Sequence, residues 1–203
     1  MVRTSVALSL VAMASSAAAF APAASSGRAA TAVSAMSKSV PFLLEPKNTK
    51  GMVGDAGFDP LGLSDEFDIK WMRESELKHG RAAMLATVGF VVQQFVTIPG
   101  YTHVDDSNLG PAAVGASPML QIVVWCGAIE WWTNKGKITY EDMFSDPARV
   151  PGNLGFDPMG LGKNKSAEDM EKLELNEIKN GRLAMLAIGG MIHHNWVTGE
   201  ALF

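Results

Sequence analysis

Apolar positions concentrate in three runs, 82–98, 118–132 and 183–196, of 17, 15 and 14 residues. Runs of this length that continue from charged, helix-favouring segments predict helices rather than strands. None makes a comfortable membrane span alone, because crossing a hydrocarbon core takes ~20 mostly apolar residues. The first and last reach that length only if the charged stretches 76–81 and 177–182 also lie at membrane depth.

Those charged stretches are copies of one another. Glu76-Leu-Lys-His-Gly-Arg-Ala-Ala-Met-Leu-Ala86 and Glu177-Ile-Lys-Asn-Gly-Arg-Leu-Ala-Met-Leu-Ala187 agree at eight of eleven positions at an offset of 101 residues, which marks an internal duplication. Upstream, Gly57-Phe-Asp-Pro-Leu-Gly-Leu63 and Gly155-Phe-Asp-Pro-Met-Gly-Leu161 repeat at an offset of 98. Each unit reads as a turn, initiated by Asp-Pro between glycines, followed by a helix that begins near the acidic segments 64–68 and 166–169. Two equivalent units crossing a membrane in the same direction need a return between them, and 118–132 supplies it. The predicted fold is therefore an all-α membrane protein with three transmembrane helices, the first and third forming a crossed pair about a pseudo-two-fold axis along the membrane normal. Small residues at matching positions, Gly80 with Gly181, Ala83 with Ala184 and Gly89 with Gly190, predict close approach of that pair.

Charges at bilayer depth need compensation, since a lone one costs at least ~2.5 kcal/mol. Glu76 and Arg81 stand five residues apart and so on different faces of one helix. Across the axis, Glu76 meets Arg182 and Glu177 meets Arg81, and pairing makes their burial tolerable. A carboxylate bound to arginine still holds a free lone pair, and oxygen or imidazole nitrogen suits the axial position of a four-coordinate Mg²⁺ in a porphyrin-like ring. His79, one turn after Glu76, presents a second such atom along the same stripe, and Asn180 repeats it with an amide oxygen. His194 lies ~21 Å further along the axis from Asn180, at a second depth; its repeat partner is Gln93. In the middle helix Glu130 is the lone ionisable residue of an apolar run, which makes a functional role the default for it. Gln121 either ligates in the same way or hydrogen-bonds a neighbouring helix. His193, turned about 100° from His194, reads as an interfacial polar residue. Trp125, Trp131, Trp132 and Trp196 read as packing or interfacial anchors, Met84 and Met185 as packing at the crossing or against a ligand, and Asp105-Asp106 as a solvated loop.

Composition supports a membrane setting and removes several alternatives. The chain is 47% hydrophobic with a mean hydropathy of +0.10. A formal charge of −4 over 203 residues offers no basic face for nucleic acid. The single cysteine, Cys126, excludes an intrachain disulfide and a Cys-rich metal site, and reads as a small buried apolar residue. No Ser-His-Asp spacing, phosphate-binding loop or HExxH motif is present, so the chain is not expected to be an enzyme. Three spans offer no second bundle to rock against the first, which argues against a transporter.

The first residues serve a different purpose. Arg3, the apolar run 6–13 and the small residues 14–19 read as a signal peptide, and the following stretch, with Arg28 and no acid before Glu45, has transit-peptide composition. Residues 1–36 are thus assigned to a bipartite plastid targeting presequence and 37–203 to the three-helix domain.

The duplicated Glu-x-x-His/Asn-Gly-Arg-x-Ala-Met helix, each copy preceded by Gly-Phe-Asp-Pro-x-Gly, resembles the signature of the chlorophyll-binding light-harvesting complex family, over residues 57–194. The resemblance implies that Glu76, His79, Glu130, Glu177, Asn180 and His194 are axial ligands to chlorophyll magnesium, that Arg81 and Arg182 are their cross-helix partners, and that Asp59 and Asp157 sit in loops holding the polar ends of two xanthophylls. The chain departs from green-plant members at His194, where they often carry Gln, and lacks a counterpart of their C-terminal amphipathic helix, so one pigment site is expected to be missing. The presequence and compact length resemble fucoxanthin chlorophyll a/c-binding proteins of diatom-like algae, implying chlorophyll a, chlorophyll c, fucoxanthin and diadinoxanthin or a related xanthophyll. Pro41-Phe-Leu-Leu and the segment from Gly54 to Ser64 resemble the red-algal-type branch attached to photosystem I. The implied partners are a photosystem core, I ahead of II, neighbouring antenna proteins and thylakoid lipid; the implied role is excitation transfer in a thylakoid membrane. A photoprotective, energy-dissipating protein of the same fold is the alternative, and an unpigmented structural subunit a remote one.

Overall fold

The computed structural model describes residues 36–158, 160, 162 and 165–202. The targeting reading of residues 1–36 falls, but for Met36, outside them. Six helices are present among the described residues: α1 Leu63–Glu66, α2 Ile69–Phe95, α3 Gly110–Val114, α4 Ala116–Thr133, α5 Tyr140–Met143 and α6 Ala167–Thr198.

The ends of the two long helices follow from local chemistry. Asp68 caps α2, its carboxylate accepting from Lys70 N at 2.9 Å. Ser166 caps α6, accepting from Asp169 N at 3.2 Å while its hydroxyl donates to the Asp169 carboxylate at 2.9 Å. Glu168 and Asp169 in the first turn complement the helix dipole. Extended Val96, followed by Thr97, Ile98 and Pro99, ends α2, and Gly199 ends α6 in the left-handed conformation at φ 69°. With 27 and 32 residues, α2 and α6 are ~40 and ~48 Å long; α4, with 18 residues, is ~27 Å long. No helix among the described residues is long and apolar enough to cross a membrane by itself, because charge occupies the first halves of α2 and α6, as the short apolar runs anticipate.

The helices α2 and α6 form the packed heart of the molecule. They meet at Gly80 and Gly181, with Ala83, Ile178 and Ala184 buried around the contact and Phe90 buried further along α2. The expected contact between Gly89 and Gly190 does not occur, and both face open space. Nine residues beyond the crossing at about 100° each is half a turn out of phase, which carries both to the far side of their helices.

Two loop glycines, Gly54 and Gly152, close the crossing from either side. A Cβ on Gly54 would stand 3.3 Å from Ile178 Cγ2, and one on Gly152 would overlap Leu77 Cδ1. Both have positive φ, 78° and 76°, so glycine is required on two counts. They occupy equivalent positions in the upstream repeat, and the duplication is thus realised in loops as well as helices.

Most large apolar side chains point outward. None of α4's residues is buried, and Leu120, Val123, Val124, Trp125, Trp131 and Trp132 are all more than half exposed. Cys126 is exposed with them, correcting its assignment to a core: the helix that carries it has no protein core on any face. The indoles of Trp125, Trp131, Trp132 and Trp196 are largely exposed, with Trp131 beside Gly136 and Trp196 edge-on to His193. The segment after α2 is also not simply solvated. Asp106 Oδ1 accepts from the buried Asn195 amide at 2.6 Å, Asn108 donates to Ile192 O at 3.1 Å, and Ser107 donates to Phe90 O at 3.2 Å. The loop therefore bridges α2 and α6 beyond their crossing.

Candidate pigment-binding site

The crossing brings together the charges of the two copies. Arg81 Nε donates to Glu177 Oε1 and Arg182 Nε to Glu76 Oε1, each at 2.7 Å. These are the symmetric pairs required by the duplication. Their side chains are between 29% and 42% exposed, so each carboxylate is neutralised and still reachable from outside the helix pair.

The symmetry breaks at Glu76. Arg73 Nη1 donates to Glu76 Oε2 at 3.1 Å, while its Nη2 holds Val53 O at 2.7 Å. Arg182 in turn holds Gly54 O at 2.9 Å. Both Glu76 oxygens are engaged, with one lone pair left on each, whereas Glu177 Oε2 accepts no hydrogen bond among the described residues. Glu174 stands at the repeat position of Arg73, so the second copy has no such cation.

His79 and Asn180 share one arrangement. His79 Nδ1 lies 2.8 Å from Ser75 O; a carbonyl accepts only, so Nδ1 is the donor, and in the neutral ring this leaves the lone pair on Nε2. Asn180 Nδ2 donates to Asn176 O at 2.9 Å, leaving Oδ1 outward. Each side chain is exposed and anchored to the carbonyl four residues earlier. An outward acceptor whose other polar atom is satisfied by the helix fits the axial position of a ring-bound Mg²⁺, by the same logic that fixes metal-binding histidines through their second nitrogen. His194 is likewise exposed on α6, and Gln121 is exposed on α4 without a hydrogen bond among the described residues. Gln93, half-buried, donates from Nε2 to Ser107 O at 3.4 Å, and its amide lies beside Gly110.

Glu130 sits in a polar network whose other members the sequence analysis did not single out. Lys78 Nζ and Asn134 Nδ2 both donate to Glu130 Oε2, the latter at 2.9 Å. Asn134, 1% exposed, accepts through Oδ1 from Arg149 Nη2 at 2.6 Å. Glu74, 3% exposed, receives Arg149 at 3.4 Å and Lys78 at 3.6 Å on one oxygen and Gly152 N on the other.

The two loop aspartates act as turn clamps. Asp59 accepts from Leu63 N at 3.0 Å, Ser64 N at 2.9 Å and Ser64 Oγ at 2.6 Å. Burial pushes its pKa up, but the hydrogen bonds from Ser64, and then from Leu63, outweigh that and hold it below the ordinary 3.8. Asp157 Oδ2 accepts from Gly162 N at 2.9 Å. Two crevices flank the crossing. One, of about 370 Å³, is lined by Phe58, Met72, Arg73, Glu76 and Arg182; the other, of about 420 Å³, by Leu77, Arg81, Gly152, Glu177 and Ile178. Each contains one carboxylate of the crossed pairs.

Comparison with known proteins gives the family. Residues 45–196 match the family described as Chlorophyll A-B binding protein. The chain is 33% identical over 194 residues to the light-harvesting complex stress-related protein 3.2 of Chlamydomonas reinhardtii, covering 86% of this chain and 70% of that protein. It is 32% identical over 166 residues to the fucoxanthin-chlorophyll a-c binding protein of Chattonella marina var. antiqua, covering 75% and 72%. It is 35% identical over 173 residues to the chlorophyll a-b binding protein CP24 10B of Solanum lycopersicum, covering 72% and 68%. All three are chloroplastic proteins. The chain thus belongs to the chlorophyll a-b binding protein family, helical membrane proteins that carry pigment and catalyse no reaction.

Proposed function

We propose that this chain is a light-harvesting antenna protein of a plastid thylakoid membrane, crossed by α2, α4 and α6, which binds chlorophylls and xanthophylls and passes excitation to a photosystem. The observation that carries the reading is the pair of crossed carboxylate–guanidinium contacts at Glu76 and Glu177, with His79 and Asn180 beside them presenting helix-anchored acceptors outward. Glu76, His79, Glu130, Glu177, Asn180 and His194 are the axial ligands in this reading, with Gln121 as a further candidate. Arg81 offsets the charge of Glu177, and Arg182 with Arg73 that of Glu76, so that neither glutamate coordinates as a bare anion. Bound chlorophyll supplies light absorption and excitation transfer; the chain's own residues fix where each ring sits and how it is turned. The exposed apolar faces of α4 and α6 suit pigment and lipid rather than water. Asp59 and Asp157 hold the turns against which two xanthophyll ends rest.

The pigment set in this reading is chlorophyll a with chlorophyll c, fucoxanthin and diadinoxanthin or a related xanthophyll, supported by the relative named for fucoxanthin and chlorophyll a-c. Photosystem I is the preferred acceptor, on the sequence resemblance alone. A photoprotective role is the second reading, supported by three relatives from Chlamydomonas reinhardtii that are named stress-related.

The test is the absorption and fluorescence-excitation spectrum of the protein purified from thylakoids in mild detergent, with its pigments extracted and identified. Bound chlorophyll a, with carotenoid excitation appearing in chlorophyll emission, is the expected result. An unpigmented protein overturns the reading. Short chlorophyll fluorescence lifetimes in the isolated protein, with accumulation under excess light, select the photoprotective form.

A further inference from the structure

We infer that Lys78 is a positioning residue for Glu130: its ammonium ties one carboxylate oxygen of the middle helix to α2 and so leaves the other free to take a chlorophyll magnesium. The inference rests on the pigment-binding reading and adds to it a residue outside the duplicated ligand set.

The argument begins with how α4 is attached. It buries no residue of its own, and the side-chain hydrogen bonds that tie it to the rest of the described molecule are polar and clustered at its C-terminal end. Lys78 Nζ reaches Glu130 Oε2, and Asn134, the residue that follows the helix, is held by Arg149. Glu130 is 48% exposed and Lys78 26%, so this contact lies at the edge of the protein, where a pigment could cover it. Lys78 is itself fixed from behind by Glu74, 4% exposed in its side chain, which Arg149 also contacts. Two carboxylates and two cations make the group neutral, and each cation faces two acceptors.

Glu130 uses only Oε2 for both Lys78 and Asn134; Oε1 has no hydrogen-bond partner among the described residues. Two donors on one oxygen set the carboxylate plane and turn the other oxygen away from the network. Without the ammonium, Glu130 keeps only the Asn134 amide, is free to rotate, and stands as an uncompensated charge in an apolar setting, so nothing holds Oε1 toward a ligand. The repeat keeps a lysine at Lys179 but places Leu175 where Glu74 stands, so the device belongs to the first copy.

The test compares pigmented protein carrying Lys78→Met, Lys78→Gln, Lys78→Arg, Glu130→Leu and the Lys78→Met/Glu130→Leu double variant. The readouts are chlorophyll per polypeptide, low-temperature absorption and thermal unfolding by circular dichroism. Lys78→Met, Glu130→Leu and their double variant are expected to lose the same single chlorophyll with the same difference band, and Lys78→Arg to retain it. Full occupancy and an unchanged spectrum in Lys78→Met overturn the inference, as does a double variant that loses more pigment than Glu130→Leu. If Lys78→Met fails to assemble, Lys78→Gln, which removes the charge and keeps a polar side chain, decides: assembly without that band supports the role, and assembly with it overturns it. Retention of every chlorophyll by Glu130→Leu refutes Glu130 as a ligand and the inference with it, whereas a wild-type protein without chlorophyll refutes the pigment-binding reading itself.

Discussion

Gly80 and Gly181 stand so close that a Cβ added to either would lie 3.1 Å from the other's Cα. The obstacle is backbone rather than a flexible side chain, so relief requires the two helices to move apart. Alanine at either position is therefore expected to destabilise the pigmented protein by ~1–3 kcal/mol, the usual cost of overpacking. Because one separation accommodates both methyl groups, the double alanine variant is expected to cost less than the sum of the singles. Thermal unfolding of the three variants checks this, and additive losses would show that the crossing is not shared.

The two cross-helix ion pairs look alike in sequence but respond differently to loss of their arginines. Arg182→Leu leaves Glu76 with Arg73 at 3.1 Å, whereas Arg81→Leu leaves Glu177 without a cation. The second variant is expected to be the less stable by ~1.5–3 kcal/mol, the worth of a hydrogen bond to a charged group. Adding Arg73→Leu to Arg182→Leu should bring it down to the level of Arg81→Leu. Equal melting temperatures for the two single variants would refute the asymmetry.

This asymmetry shows where the sequence stops being informative. The duplication predicts the crossed pairs because symmetry alone fixes which glutamate meets which arginine. The approach at Gly80 and Gly181 follows from the same symmetry, while the false pairing of Gly89 with Gly190 arose from reading small residues without their helical phase. Arg73 and Lys78 could not be recognised, since each acts across a distance in the chain that no repeat encodes: Arg73 onto the 53–54 turn, Lys78 onto α4. Asn134 and Arg149 lie in a connection with no duplicated partner. The continuation of the upstream repeat to Gly54 and Gly152 was readable at the offset of 98 and would have located the covers of the crossing.

The Asp59 turn should give acid sensitivity of a definite sign. Its folded pKa lies below the ordinary 3.8, so its contribution to stability is fully present above that value and is lost as pH falls through the lower folded value. Asp59→Asn replaces an acceptor of the Ser64 donors by an amide group that cannot accept on both sides. It is expected to cost ~0.5–2 kcal/mol at neutral pH, as loss of a helix cap does. The variant should also flatten the part of the acid unfolding profile below pH 3.8. An unchanged profile in that range would assign the acid transition to other groups.

The loop after α2 makes a last claim testable. Asn195, 1% exposed, donates to Asp106 at 2.6 Å while its own Oδ1 has no partner among the described residues. Asp106→Ala therefore strands the amide donor as well and is expected to cost ~1–3 kcal/mol. Asp106→Ala/Asn195→Leu removes both partners and should recover much of that loss, since deleting a buried polar pair together costs less than deleting one member. Amide hydrogen exchange localises the effect: faster exchange at 192–198 in the single variant, near-native exchange in the double. If instead Asp106→Ala leaves exchange there unchanged, Ser107 and Asn108 alone suffice to hold the loop across α2 and α6.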